Sequence, residues 1–238
     1  MFFTKKRRYK PLYKKFLRLK KNIQNREKLS RFKKQKWQKL KYFILKSKKR
    51  FNFFKFHDSS QYFLSNFNNF FSNRFLYNLL NKQRLSLYYG ELRKKYLKHS
   101  VKRVLKSSKN TNKHVSLLFI KKLEKRLDIT LYHSHFTYSV RCAKQLISHK
   151  KVYVNGRVVR CGSYKLKKGD LISIDKTSFN FIVSNVIKSK FWPLPPKHLY
   201  INYKILQILM VEDTEYVNHS VNTPSWIDFN SFIKFYER

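Results

Sequence analysis

One predicted helix carries side chains whose chemistry suits a polyanion. Between residues 139 and 149 the apolar residues Val140, Ala143 and Ile147 recur at helical spacing. The opposite side of this helix carries basic and polar groups, namely Arg141, Lys144, Gln145 and Ser148. One face is therefore expected to pack into a core, while the other presents a basic surface.

The charge of the whole chain points to the same kind of partner. The chain contains 55 Lys and Arg against 12 Asp and Glu, which gives a formal net charge of +43. Like charges at this density oppose compaction, and a polyanion would neutralise them. Residues 1–56 alone contain 23 Lys or Arg and one acidic residue, Glu27. We expect nucleic acid as the partner and an N-terminal arm embedded in RNA.

Local signals place the basic helix in a compact unit of helix, helix and hairpin. Ser139, or Thr137 before it, can cap the helix by accepting a hydrogen bond from a free backbone N–H group. Residues 152–154 favour a strand, and Asn155 with Gly156 supplies the positive-φ positions of a two-residue hairpin turn. The remaining predicted elements are a returning strand at residues 157–159, a second turn at residues 168–170 and a strand at residues 171–174.

This stretch resembles the S-four RNA-binding domain. The family pattern reads R-L-D, A-x-x-L-I, V-x-V-N-G and K-x-G-D-x-I, and its parts stand here at residues 126–128, 143–147, 152–156 and 167–172. In that family the second helix and the adjoining loop lie against structured RNA. Carried over residue by residue, the resemblance implies an RNA-binding set of Arg126, Arg141, Lys144, Gln145, His149, Lys150, Lys151, Asn155 and Arg157.

Plainer interpretations of some of these residues stay open at this point. Asn155 and Gly156 would serve only the geometry of the turn, and Arg141 and Lys144 would form a solvated helix face that needs no ligand. We expect Asp128 to cap or pair locally rather than to act in catalysis.

Two further segments are similar to segments of the small-subunit ribosomal protein S-four family, whose members contain this domain. Residues 82–92, KQRLSLYYGEL, are similar to its K-Q-K-L-R-x-x-Y-G-x-L segment. Residues 227–238, IDFNSFIKFYER, are similar to its closing I-N-x-x-L-I-V-E-F-Y-S-R. The three matches follow the order of the family over residues 82–238.

The resemblance implies an α+β fold, in which an S-four domain of two helices and a small antiparallel sheet is inserted into a mainly helical body. We divide the chain into a basic, aromatic-rich N-terminal extension at residues 1–75, a helical body at residues 76–120 completed by residues 212–238, and the S-four RNA-binding domain with following strands at residues 121–211. Apolar periodicity at residues 82–106 predicts one long helix or two, bent near residues 99–100.

The segments before residue 82 leave alternatives open. Residues 11–20 and 37–43 interleave aromatic and basic groups, which suits phosphate contacts combined with stacking or wedging by the rings. Short amphipathic helices whose aromatic residues pack on the body fit this pattern equally well. Residues 59–81 are rich in Phe, Asn, Ser and Tyr, which indicates a low-complexity connector or a surface for neighbouring proteins.

No metal or other cofactor is expected. Bacterial members of the family often begin with a cysteine-rich zinc-binding segment, whereas this chain has only Cys142 and Cys161, neither of them in a C-x-x-C pair. The sequence His133-Ser134-His135 fits a loop between two helices better than a pair of metal ligands. So few cysteines indicate a reducing compartment, and a disulfide between the two is left open.

Two enzyme classes share the S-four domain, but their other signatures are missing. Pseudouridine synthases continue into a large catalytic domain, whereas 64 residues follow Ile174 here. Tyrosyl-tRNA synthetases carry H-I-G-H-like and K-M-S-K-S-like signatures before the domain, and the N-terminal half has neither. Because no set of nucleophile, base and orienting residue is found, we expect no enzyme. The non-enzymatic alternative is a free-standing S-four-domain factor that acts on ribosomal particles.

The composition indicates an organelle-encoded protein. One Ala, 4 Gly and 5 Pro beside 22 Phe and 16 Tyr is the bias expected from an A+T-rich genome. We expect a mitochondrial location, with a plastid or a reduced endosymbiont as alternatives. The chain shows no apolar run of bilayer length and no signal peptide at its start, so we expect no membrane partner.

The resemblance implies a structural protein of the mitochondrial small ribosomal subunit. It would bind a multi-helix junction in the 5′ domain of small-subunit rRNA and support subunit assembly. Its other expected partners are neighbouring small-subunit ribosomal proteins and mRNA near the entry channel, where it would influence decoding fidelity. Recognition would follow RNA shape and phosphate position, since side chains cannot read the deep groove of A-form RNA.

Overall fold

Two compact units make up the chain, Met1–Tyr88 and Tyr89–Arg238. The computed structural model describes residues 12–19, 23, 34–42, 71–109, 114–189, 194–211 and 227–237. The expectations for residues 59–70 and for most of the N-terminal arm lie outside the described residues. The domain boundaries predicted from the sequence stay predictions.

The described part of the first unit contains short helices with buried aromatic and aliphatic side chains. Helix α1 (Leu12–Leu19) packs against helix α2 (Phe71–Tyr88). The ring centroid of Phe16, which is buried, lies 6.0 Å from that of Trp37. Phe16 thus packs inside the protein against the half-buried Trp37, which favours the amphipathic-helix interpretation of the arm. Because residues 71–81 belong to α2, the connector interpretation is wrong for them.

The first helical segment similar to the S-four family breaks at Gly90, and the predicted bend near residues 99–100 is wrong. Helix α2 ends at Tyr88, and helix α3 (Lys94–Ser108) runs through residues 99–100 without interruption. Gly90 has φ 73° and Glu91 has φ 61°, and this left-handed backbone cannot continue an α-helix. Apolar periodicity hid the break because buried residues recur on both sides of it. The glycine itself was the signal.

Three helices of the second unit form a small helical bundle. Helix α4 (Val115–Glu124) and a C-terminal helix, called α8 here (Phe229–Glu237), both pack against α3. Phe119 is fully buried between them, with ring centroids 5.3 Å from Phe232 and 6.5 Å from Phe229. The opposite side of α3 is exposed and basic.

The two helices of the predicted S-four domain form as expected and pack on each other. They are α5 (Leu127–His133) and α6 (Val140–Ser148). Ser139 Oγ accepts a hydrogen bond from the N–H of Cys142 at 3.2 Å, which confirms the predicted cap. The hydroxyl of Thr137, the alternative cap, donates instead to the carbonyl of Leu131 at 3.4 Å.

A five-stranded antiparallel sheet follows α6. Its strands are β1 (Val152–Val154), β2 (Arg157–Val158), β3 (Leu171–Ile174), β4 (Leu199–Asn202) and β5 (Gln207–Met210). Their order in the sheet is β2-β1-β3-β5-β4. The predicted hairpin turn is confirmed, since Asn155 has φ 50° and Gly156 has φ 76° between β1 and β2.

The core of the domain lies between α5, α6 and the sheet, and it includes one helix that the sequence did not reveal. Helix α7 (Phe179–Ser189) contributes Ile182 and Val186 to the same apolar cluster as Ala143 and Ile147. Its sequence, FNFIVSNVIKS, is rich in β-branched and aromatic residues that favour strands. Packing of Ile182 and Val186 against the core instead favours the helix. The predicted α+β class is confirmed.

In the part of the chain that the structure describes, no helix combines the length and the apolar character needed to cross a bilayer.

We predict that Ala143→Leu destabilises the protein by about 1–3 kcal/mol, because Ala143 is fully buried and a larger side chain would overpack the core. Gln145→Leu is the matched control, since it introduces the same side chain at an exposed position of the same helix. Urea unfolding of both variants measures the difference. Equal stabilities would contradict the packing assigned to α6.

Candidate nucleic-acid interface

A buried ion pair fixes the start of α5. The guanidinium of Arg126 binds Asp128 through two hydrogen bonds, Nε to Oδ1 at 3.0 Å and Nη2 to Oδ2 at 2.7 Å. Both side chains are buried, and the guanidinium lies 5.2 Å from the ring centroid of Tyr96. Burial opposes the charge on Arg126, yet the hydrogen bonds and charge of Asp128 outweigh it and raise the pKa of Arg126. The expectation that Asp128 pairs locally is confirmed.

Residues 125–128 also hold the loop between β2 and β3, residues 159–170, which is called the tied loop below. The N–H of Leu127 donates to Tyr164 O at 3.0 Å, and the N–H of Asp128 donates to Gly162 O at 3.2 Å. In return, the N–H of Leu166 donates to Lys125 O at 2.8 Å. The loop is therefore tied by its backbone to residues 125–128, and Arg126 serves this junction rather than the surface.

The two predicted RNA-binding cations of α6 are engaged inside the protein. Arg141 forms an ion pair with Glu91 at 2.5 Å. Lys144 donates to the carbonyl of Gly90, and its Nζ lies 3.8 Å from Asp128 Oδ2. Burial lowers the pKa of Lys144, although the charge of Asp128 opposes this shift. Arg141 and Lys144 thus make contacts within the protein, and their binding to RNA stays a prediction.

Two further members of the predicted set stabilise the sheet. The amide of Asn155 donates to Asp170 Oδ1 at 2.9 Å, and its carbonyl accepts from the N–H of Leu171 at 2.9 Å. Asn155 therefore joins the β1–β2 turn to the start of β3 in addition to serving the turn. Lys151 binds Asp175 at 2.9 Å and the hydroxyl of Thr177 at 2.6 Å.

The remaining predicted residues are exposed at one end of the domain, where α6 runs into the first hairpin. They are Gln145, His149, Lys150 and Arg157. Lys150 has φ 61°, which turns the chain sharply from the helix into β1. These four side chains are available to a ligand.

Two groups of exposed cations lie outside the predicted RNA-binding set. The tied loop presents Arg160, Lys165, Lys167 and Lys168. The outer side of α3 presents Arg93, Lys94, Lys95, Lys98, Lys102, Arg103 and Lys106. In α3 the lysines 94, 98, 102 and 106 stand four residues apart and so lie along one side of the helix. That spacing was readable from the sequence.

One member of the histidine pair, His133, contacts a buried carboxylate. His133 ends α5, and its Nε2 lies 3.1 Å from the buried carboxylate of Glu124, which also accepts a hydrogen bond from Tyr89 at 3.0 Å. Burial alone would raise the pKa of Glu124, but the charge and hydrogen bond of His133 outweigh it and lower the pKa. Among the described residues, no group of three or more His, Cys, Asp or Glu could hold a metal ion. Cys142 and Cys161 are free thiols.

We predict that Asp128→Asn destabilises the protein by roughly 3 kcal/mol, because it leaves the charge of Arg126 buried and unpaired. Asp175→Asn is the control, since it removes a carboxylate from the half-exposed pair with Lys151 and should change stability little. Thermal unfolding of the two variants tests this. A similar small effect in both would show that the buried pair does not hold the junction.

Comparison with known proteins agrees with this geometry. A family model described as "S4 domain" matches residues 125–172, which span α5, α6, the first hairpin and the tied loop. The chain is 34% identical to "Small ribosomal subunit protein uS4m" of Marchantia polymorpha, over 57% of this chain and 67% of that protein. It is 30% identical to the uS4 protein of Orientia tsutsugamushi, over 63% of this chain and 65% of that protein. It is 31% identical to the uS4c protein of Cuscuta reflexa, over 64% and 75% respectively.

The aligned part thus spans about two-thirds to three-quarters of these relatives, and their names are those of ribosomal proteins rather than enzymes. Together with the S-four helices, the confirmed hairpin and the Arg126–Asp128 junction, these similarities show that the chain belongs to the uS4 family of small ribosomal subunit proteins.

Proposed function

We propose that this chain is a structural constituent of a mitochondrial small ribosomal subunit and binds small-subunit rRNA. The observation that carries the proposal is that the described acidic side chains are engaged in contacts within the protein. Every acidic side chain that the structure describes makes an ion pair or hydrogen bond within the protein, and these are Glu91, Glu124, Asp128, Asp170, Asp175 and Asp228. The exposed cations are left for an external anion, and RNA supplies it.

The proposed interface has two parts, both in the second unit. The first is the end of the S-four domain, with the exposed members of the predicted set and the cations of the tied loop. The second is the basic face of α3, which carries no acidic residue over its 15 residues. A helix of this length extends about 22 Å and can follow several phosphates. Both parts offer cations to the RNA backbone, which suits recognition by shape.

Arg126, Arg141, Lys144, Lys151 and Asn155 have a different role in this proposal. Their internal bonds hold the loop, the turn at Gly90 and the hairpin in place, so that they position the exposed cations. Of the four cations among them, Arg141 has the most exposed side chain and can exchange Glu91 for a phosphate with least disturbance.

The finer parts of the proposal follow the family. We assign the RNA site to a multi-helix junction in the 5′ domain, with support for subunit assembly, and place neighbouring ribosomal proteins and mRNA at the entry channel among the partners. The relatives include mitochondrial, chloroplast and bacterial proteins, and the A+T-type composition favours an organelle. Sedimentation of organelle lysate tests this. A stoichiometric small-subunit component supports it, and transient association would favour a free-standing factor.

We predict that Lys150→Ala with Arg157→Ala weakens binding to the 5′-domain rRNA without lowering the melting temperature, because both side chains are exposed. Lys188→Ala with Lys234→Ala is the control, since it removes the same charge from exposed positions of α7 and α8. Filter binding and thermal melts compare the two. Equal losses of affinity would mean that only total charge matters.

Affinity should also fall steeply with salt, because RNA binding releases counterions from each neutralised phosphate. We predict a log–log slope of roughly −0.7 to −0.9 per phosphate contact, and a shallower slope in the Lys150/Arg157 double variant by about one and a half. A salt titration at constant pH measures both. An unchanged slope in that variant would remove Lys150 and Arg157 from the interface.

A further inference from the structure

Three cations from three separate elements come together beside α3. Lys122 of α4 donates from Nζ to the carbonyl of Ser100 at 3.2 Å, which places its ammonium on α3. Arg103 stands about one turn after Ser100 on α3, and its charge acts on Lys122. Lys165 belongs to the tied loop, and its backbone pairs with Arg126, just after α4 ends. The hydrogen bond of Lys122 and the backbone bridge of Lys165 thus anchor two of the three members of this cluster.

Among the residues that the structure describes, no acidic side chain acts on this cluster. The described charged groups that act on Lys122 are Lys165 and Arg103, and both are positive. Burial, and then these two cations, lower the pKa of Lys122 to about 8. Holding like charges together costs free energy, which a bound anion would recover.

We propose that Arg103, Lys122 and Lys165 form one site for an RNA backbone phosphate, which joins the basic face of α3 to the S-four loop. The site rests on the proposed RNA-binding function and adds a specific contact to it. A phosphate bound here accepts hydrogen bonds from two ammonium groups and one guanidinium. It also explains why the loop is tied to residues 125–128, since that connection places Lys165 beside α4.

This site should make RNA affinity depend on pH near 8, which ordinary exposed lysines would not do. A bound phosphate favours the charged form of Lys122 and raises its pKa above that of the free protein. Below pH 8 the free protein already carries this charge, so binding requires no proton uptake. Above pH 8 Lys122 is neutral in the free protein and must take up a proton on binding. Affinity for RNA must therefore fall as the pH rises through 8.

The test measures binding of the full chain to 5′-domain rRNA at constant salt from pH 7 to pH 9. The parent carries Cys161→Ser, because the hydrogen bond with Ser163 lowers the pKa of that exposed thiol, which would also titrate. The parent should lose about tenfold in affinity across this range, as expected for uptake of one proton. Lys122→Arg keeps the charge at every pH, so its affinity should stay constant.

Two further variants complete the test. Lys122→Met keeps the aliphatic stem but not the charge, and it should bind roughly a hundredfold more weakly than the parent at pH 7, with no further loss at pH 9. Lys188→Met removes one exposed charge elsewhere and should keep the pH dependence of the parent. Thermal melts confirm that each variant is folded.

The outcomes separate this site from the function on which it rests. Tight binding that is independent of pH in the parent, or a pH dependence that persists in Lys122→Arg, overturns the site and leaves the proposed function standing. A parent that does not bind the rRNA at pH 7 overturns the proposed function and the site with it.

Discussion

The second unit depends on the buried ion pair between Arg126 and Asp128. Removing two charges from water costs free energy, and their attraction offsets this cost only when the two groups are close and well aligned. The pair therefore contributes more to selecting one arrangement than to net stability. That arrangement brings the backbone of the tied loop against residues 125–128. Asp128 is also the carboxylate that Lys144 approaches, and Gly162 lies against both side chains. One pair thus organises the start of α5, the loop and the middle of α6.

The turn at Gly90 connects this domain to α3. A side chain at Gly90 would place its Cβ 2.6 Å from Val140 Cγ1, so the close approach of the turn to α6 requires glycine as much as its φ of 73° does. Lys144 binds the carbonyl of Gly90, and Arg141 binds Glu91. The cations of α6 therefore hold the turn that leads into α3, and α3 presents the longer basic surface.

The described cations form two populations. One population is paired with a few acidic side chains or backbone carbonyls and defines the fold. The other is exposed on α3, on the tied loop and at the end of α6, where the described acidic residues are already used elsewhere. Such a surface repels itself in isolation and is stabilised by a polyanion. Folding and RNA binding thus both use Lys and Arg side chains, but they use different individual residues.

The sequence by itself determined the elements that depend on local chemistry. The Ser139 cap, the Asn155–Gly156 turn, the amphipathic α6 and the identity of the S-four domain all follow from residues close together in the chain. The tertiary structure alone decided which cations are used internally, because pairs such as Arg141 with Glu91 join residues far apart in sequence. It also made α7 a helix against its local propensity. Spacing shows which groups share a face, but long-range packing decides what that face meets.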